Sequence, residues 1–277
     1  MRVAGLTRLA ACAALLWTAA PLGGVWPQNP DTMLPVDSAA KAKQLIQQSI
    51  QALGGPAFLG VKDSTCTGRL AQFSHNNEVT GYVRFIDFNK PPDHDRIEYS
   101  EKRNIISVWA GDKAWELDRG GVQDSVADVV ARNQEDLKKD VNTLFRSRLK
   151  ENGLSLRFGG AETVDLRLVD WIEVVDSEQR NMRIAIDRQT RLPSRTVIET
   201  LDRASRERFS ETEYYSNFHS FDGIQTPLQI ARDRNGRKVF QVFLEDCKYN
   251  TGLADSLFTR QSLEERFAQL NKGKKPK

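Results

Sequence analysis

Three cysteines and three histidines are the groups best suited to metal or nucleophile chemistry, so their spacing comes first. Cys12, Cys66 and Cys247 are widely separated, as are His75, His94 and His219. Only Asp93-His94-Asp95 places metal-type ligands side by side. It follows Pro91-Pro92, where a solvated loop is the plainer reading. Carboxylates such as Asp87 with Asp93, or Glu211 with Glu213, could serve as acid and base, but strands with a wet face carry such pairs anyway. The chain has no G-x-x-x-x-G-K-[ST], G-x-G-x-x-G, H-E-x-x-H, G-x-S-x-G or C-x-x-C. The expectation is therefore no catalytic residue, no metal and no cofactor. An enzyme would have to be built from Asp93-His94-Asp95 and scattered carboxylates.

Cys12 lies in a segment that reads as an export signal. Arg2 and Arg8 precede an apolar run over residues 9–17, which leaves through Thr18-Ala-Ala20 and Leu22-Gly-Gly24. A basic start, an apolar stretch of about 7–15 residues and a small-residue exit describe a secretory signal peptide, too short to span a membrane comfortably. Pro21 leaves the cleavage site open between Ala20 and Gln28. An uncleaved anchor is the alternative. Leu9-Ala-Ala-Cys12 looks like a lipidation box, but Arg8 directly before it and the apolar residues after it argue against that reading. The expected domains are 1–27 signal peptide and exit, 28–37 linker, 38–270 a single domain, and 271–277 a basic tail. In an exported protein Cys66 and Cys247 could pair and tie the first strand to the last, or remain two buried thiols.

Charge excludes one class of partner. The formal net charge is +3; without Arg2 and Arg8 it is +1, and without Lys272, Lys274, Lys275 and Lys277 it is −3. A near-neutral body gives no basis for nucleic-acid binding. With 277 residues, 39% of them hydrophobic, and 28% charged, the chain can bury a sizeable core and is not disordered.

These residues must be held by elements that periodicity reveals. Asp37-Ser38 can cap a helix with Ala42, Leu45, Ile46, Ile50 and Leu53 on one face, stopped by Gly54-Gly55. Period-two stretches follow over residues 64–73, 78–88, 96–102, 104–110 and 113–118. A turn at Gly111-Asp112 would pair Val108 with Trp115 and Ile106 with Leu117. Residues 125–152 carry a helical pattern, as one helix or two with a break near Asn133. Strand patterns resume at 154–158, 163–175, 181–186, 195–201, 206–218, 225–234 and 237–249, with Asn235-Gly236 the strongest hairpin signal. Ser262-Leu-Glu-Glu265 reads as a capping box for a closing helix. Short links force antiparallel neighbours. The fold class expected is α+β: a curved antiparallel sheet of roughly ten or eleven strands with helices on its concave side.

Strand faces suggest what such a sheet would do. In the last hairpin one face collects Leu228, Ile230, Val239 and Phe243, and the other Ala231, Phe240, Val242 and Leu244. Both sides then need cover, and any part the helices leave open is an apolar cavity. A sheet simply packed solid on its helices is the alternative.

The order of motifs resembles the LolA-like family of outer-membrane lipoprotein-sorting proteins. It comprises Ala52-Leu-Gly-Gly55, Gly68-Arg69, Gly111-Asp-Lys-Ala-Trp115, the helical insertion, Ile184-Ala-Ile-Asp187 into Leu192-Pro193-Ser-Arg195, then Phe221-Asp-Gly-Ile-Gln-Thr-Pro227, Asn235-Gly236-Arg237 and Asn250 through Asp255-Ser-Leu-Phe258. The resemblance covers about residues 38–258 and implies a half-barrel with a helical lid over a hydrophobic cavity for acyl chains. By that resemblance the protein would be a periplasmic, non-catalytic carrier of lipoprotein acyl chains or lipids. It would work as a monomer between membrane-bound donor and acceptor proteins. Cavity-wall candidates are Ile106, Val108, Trp115, Leu117, Ile184 and Ile186, with Val141, Leu144 and Phe145 as lid candidates. A periplasmic sensor or protein-interaction module on the same fold, suggested by the large helical insertion, is the competing expectation.

Overall fold

The fold is given by a computed structural model that describes residues 30–74, 76–201 and 206–272. The export-signal reading of residues 1–27 and the tail lysines Lys274, Lys275 and Lys277 lie outside the described residues. The period-two stretches become strands of one antiparallel sheet, open and curved. The first six strands are β1 (Ser64–Phe73), β2 (Val79–Lys90), β3 (His94–Tyr99), β4 (Ile105–Ala110), β5 (Lys113–Asp118) and β6 (Gly121–Asp124). After a helical stretch come β7 (Ser155–Val164), β8 (Arg167–Val175), β9 (Asn181–Asp187) and β10 (Pro193–Leu201). The last three are β11 (Arg208–Phe221), β12 (Ile224–Arg234) and β13 (Arg237–Tyr249).

Among the described residues the spatial order is β6-β5-β4-β3-β2-β1-β13-β12-β11-β10-β9-β8-β7, thirteen strands rather than ten or eleven. The four-residue β6 is too short to show alternation in sequence. Two meanders meet in the middle, where β1 pairs with β13. Cys66 and Cys247 stand opposite each other at that seam and form a disulfide. The sequence neighbours β6 and β7 therefore lie at opposite edges, and the helical insertion must connect them.

Some boundaries differ from expectation for local reasons. Gly159-Gly160 does not end a strand: the register shifts there as a bulge, and β7 runs on to Val164. The turn falls instead at Asp165-Leu166, with φ of 49° and 63° and Leu166 99% exposed. The first helix, α1 (Pro35–Leu53), starts at Pro35, inside the expected linker. Proline suits a first helical turn because the missing N–H would have had no partner there. Ser38 is not the cap; its buried hydroxyl accepts the Phe158 N–H at 3.0 Å. A short α2 (Pro56–Leu59) follows.

The insertion forms α3 (Ala127–Lys139) and α4 (Val141–Arg146). They break at Asp140, whose carboxylate caps α4 by accepting the Thr143 N–H at 2.6 Å, and not near Asn133. The closing helix α5 (Arg260–Asn271) is capped by Thr259 rather than Ser262. Ser262 donates to the Leu257 and Thr259 carbonyls and accepts from Arg96.

Directly opposed residues in an antiparallel pair share a sheet face, so the register can be followed from strand to strand. One face carries α1, α2 and α4 over Phe158, Ile172, Ile184 and Ile186. The opposite face carries α5 and Phe258 over Ile106, Val108 and Leu117. Helices thus cover both sides. Each such large buried side chain contributes on the order of 1.5–3 kcal/mol.

Candidate functional site

The six wall candidates do not line one space. Ile106, Val108 and Leu117 are wholly buried, with half-buried Trp115, in the cluster closed by Leu263 of α5 and by Phe258 just before that helix. Ile184 and Ile186 belong to the other face, in the core under α1. The lid candidates Val141, Leu144 and Phe145, all buried on α4, pack in that same core. The expected pairs Val108–Trp115 and Ile106–Leu117 are present, but their shared side is the α5 face.

What the α1 face leaves open lies nearer the seam. Leu70 is opposite both Val83 and Val242, Val242 is opposite Ile230, and Ile230 is opposite Tyr215. Gly68 is opposite Phe85 and Leu244 in the adjoining row. These pairings make a continuous apolar band across β2, β1, β13 and β12. Phe85 is buried, while Leu70, Val83, Leu228, Ile230, Phe240, Val242 and Leu244 are only half-buried.

Sequence reasoning missed the band because of one residue. A bulge at Val239 moves the pairing from Asp233–Lys238 to Arg232–Phe240, which brings Ile230 opposite Val242. Leu228 and Ile230 therefore share a face with Phe240, Val242 and Leu244, and the expected division of the hairpin's faces is overturned. At Gly68 a Cβ would meet the Phe243 carbonyl at 2.4 Å, so only glycine lets these strands approach.

Helix α3 crosses this face from one arm of the sheet to the other. Gln134 donates to the Gly111 carbonyl at the β4–β5 turn. Glu135 accepts from Arg180 at the β8–β9 turn, and Asp136 lies 3.7 Å from Arg232 of β12. None of its residues is buried. Its C-terminal end is clamped: Arg148 reaches the Lys138 carbonyl and Asp176, and Arg180 reaches Asp176, Glu135 and Glu178.

Under α3 a polar cavity of about 50 Å³ is lined by Asp136, Asp140, Thr196, Glu211, Glu213 and Arg232. Arg232 binds Glu213 at 2.8 Å and Arg234 binds Glu211 at 2.6 Å. Burial pushes the Glu213 carboxyl up even with Arg232 beside it, and burial likewise raises Asp136.

On β2 the row Val83, Phe85 continues to Asp87. Asp95 on β3 faces the same way, so the carboxylate beside Asp87 is Asp95 and not Asp93. Burial raises both, Asp95 well above the usual range, where Asp87 adds like-charge repulsion. Tyr99, across from Phe85, is pushed up to about 12 by burial and then by Asp95, Asp87 and Glu116.

His94 is on the other face, 2.8 Å from Asp93 and edge-on to Phe258, so Asp93-His94-Asp95 does not converge on one point. Among the described residues no group of three or more His, Cys, Asp or Glu side chains could hold a metal ion. Among them too, no helix is long and apolar enough to cross a membrane.

No protein-family model matches the sequence, and no curated protein matches it. Solved structures do. A DUF1329 family protein from Desulfovibrio piger superposes with a TM-score of 0.58 at 15% identity, covering 80% of this chain and 98% of that one. A putative outer membrane lipoprotein-sorting protein domain from Vibrio parahaemolyticus gives 0.54 at 14%, covering 82% and 99%. A LolA superfamily protein from Nitrosomonas europaea gives 0.51 at 14%, covering 80% and 99%. The fold of this chain is LolA-like.

Proposed function

We propose that the protein is a periplasmic, non-catalytic carrier that holds lipoprotein acyl chains or lipids against the apolar band beneath α3. The observation that carries this reading is the run Val83, Leu70, Val242, Ile230: register-contiguous and half-exposed, under a helix with no buried residue of its own. A closed sheet with no ligand to accept would cover such a band with an amphipathic face, as α1 covers the neighbouring strands.

The energetics suit a carrier. Burying methylenes is worth about 0.8 kcal/mol each, so a 16-carbon chain gains on the order of 10 kcal/mol before ordering costs. Loading requires α3 to lift. It is fastened firmly at the Asp140 end, whereas Gln134 makes one hydrogen bond to the opposite arm, so Asp140 is the natural hinge. The lipoprotein-sorting description of one structural neighbour fits this reading, as does an export signal at residues 1–27. Transfer between membrane-bound donor and acceptor proteins would then follow from differential contacts with the two. The carrier is proposed to act as a monomer, without cofactor or nucleic acid.

The test is uptake of a fluorescent fatty acid by the purified protein, with mass spectrometry of an organic extract. Wild type should bind the probe, and Val242→Glu should weaken binding at least about tenfold by placing a charge on the band. Ile106→Ala, on the far face, should leave binding within about twofold while costing about 2–5 kcal/mol of stability. Absence of both probe uptake and extracted lipid would sink the carrier reading.

A further inference from the structure

Among the described residues, the fully buried acids are answered by donors. Glu98 pairs with Arg96, Asp170 with Arg188, Asp176 with Arg180, Asp187 with Arg167 and Glu211 with Arg234. Asp63 accepts backbone N–H groups from residues 251–253. The half-buried Asp87 and Asp95 hydrogen-bond to each other, and Asp95 also accepts the Arg96 backbone N–H. Among the described residues neither carboxyl forms an ion pair, and the Oδ1 atom of each is shut off from solvent with no donor. The indole Nε1 of Trp109, directly across from Asp95 on β4, is also buried and unpartnered. Two carboxyl oxygens without donors and one N–H without an acceptor thus collect on one patch, and polar atoms closed off from water without a partner are costly.

The patch is continuous with the apolar band. Asp87 follows Phe85 along β2 on the same face, and Tyr99, Ile97 and Trp109 extend that face over β3 and β4. We propose that Asp87 and Asp95, flanked by Trp109 and Tyr99, bind the ammonium head of a cationic amphiphile whose hydrocarbon part lies on the band, an assignment that rests on the carrier reading above. An ammonium supplies the missing donors to two carboxyls, and aromatic neighbours favour it through their ring quadrupoles. A bare divalent cation fits less well, since calcium takes six or more oxygens and only two carboxyls converge here.

Dodecylammonium, dodecanoate and dodecanol share one chain and differ only in the head, so each would be used to displace a fluorescent fatty acid from the full chain. Dodecylammonium should displace it at a concentration at least about tenfold lower than either of the others. In Asp87→Asn with Asp95→Asn the three should fall within about threefold of one another. Circular dichroism verifies that this variant folds, and Asp95→Asn alone replaces it if it does not. Equal displacement by all three in wild type, or an ammonium preference that survives in the variant, overturns the head-group assignment and leaves acyl binding standing. Failure of all three, with no uptake of the fluorescent probe itself, overturns the carrier reading and the assignment with it.

Discussion

Asp63 and Asp95 show how the same side chain acquires opposite roles from its surroundings. Asp63, 4% exposed, sits where the chain enters β1 and gathers donors from Thr251, Gly252 and Leu253 just beyond β13. Burial alone would raise its pKa, but these donors together hold it below the ordinary carboxylate range. A folded-state value below the unfolded one contributes stability above about pH 4, lost as pH falls through the folded value. Asp63→Asn turns an amide N–H toward backbone donors and should cost about 2–3 kcal/mol at pH 7 in denaturant unfolding. The gap from wild type should narrow below about pH 4; a gap independent of pH would show that charge plays no part. Asp95 has the reverse sign. Its pKa is raised, so its protonated form contributes below the unfolded value and that contribution is lost as pH rises through the folded one. Asp95→Asn should therefore unfold at a higher temperature than wild type at pH 7 and at nearly the same temperature at pH 4. A lower midpoint at pH 7 would contradict the desolvation and like-charge repulsion that raise that carboxyl.

At the level of elements, the helices, hairpins and turns chemistry names were legible, and the faces were not. Asn235-Gly236 takes the positive φ of 49° and 75° that its type suggests, and Gly111-Asp112 sets the pairing of Val108 with Trp115. What escapes local pattern is the single extra residue. Val239 at one bulge carries no composition signal, and Gly159-Gly160 at another reads as a strand end, yet with a period of two each flips every side chain that follows. The band of Leu228, Ile230, Val242 and Leu244 was therefore spread over two faces in sequence and lies on one in the fold. Helix α3 was legible as a helix, but its fastening was not, because Arg180, Glu135 and Asp176 come from separate segments. These partly exposed pairs hold α3 with on the order of 1 kcal/mol, so Arg180→Ala should raise its opening about fivefold. Hydrogen exchange should speed up over residues 127–139 while β12 and β13 stay protected; unchanged exchange in α3 would mean that the clamp does not hold it.

The whole molecule is two meanders joined at one seam, and the apolar band crosses that seam. Nothing local in the sequence announces that β1 and β13 are neighbours; only the pairing of Cys66 with Cys247 hints at it. The disulfide spans 181 residues and lies on the floor beside the band, with Cys66 opposite Asp87 and next but one to Gly68. In the chain-entropy model, closing a loop of this length is worth about 5 kcal/mol, all of it from restricting the unfolded chain. The ladder between β1 and β13 remains when the bond is gone, so Cys66→Ala with Cys247→Ala should fold to the same sheet but unfold at a lower denaturant midpoint. Reduction of the wild type should match the double variant. The band depends on both meanders keeping register across the seam, so fatty-acid uptake should fall at denaturant concentrations where the disulfide-bonded protein still binds. Were the variant to unfold in two separated steps, β1–β6 and β7–β13 would each be cooperative alone, and the disulfide would be joining two units. A single transition with an unshifted midpoint would instead assign the seam's strength to its backbone ladder.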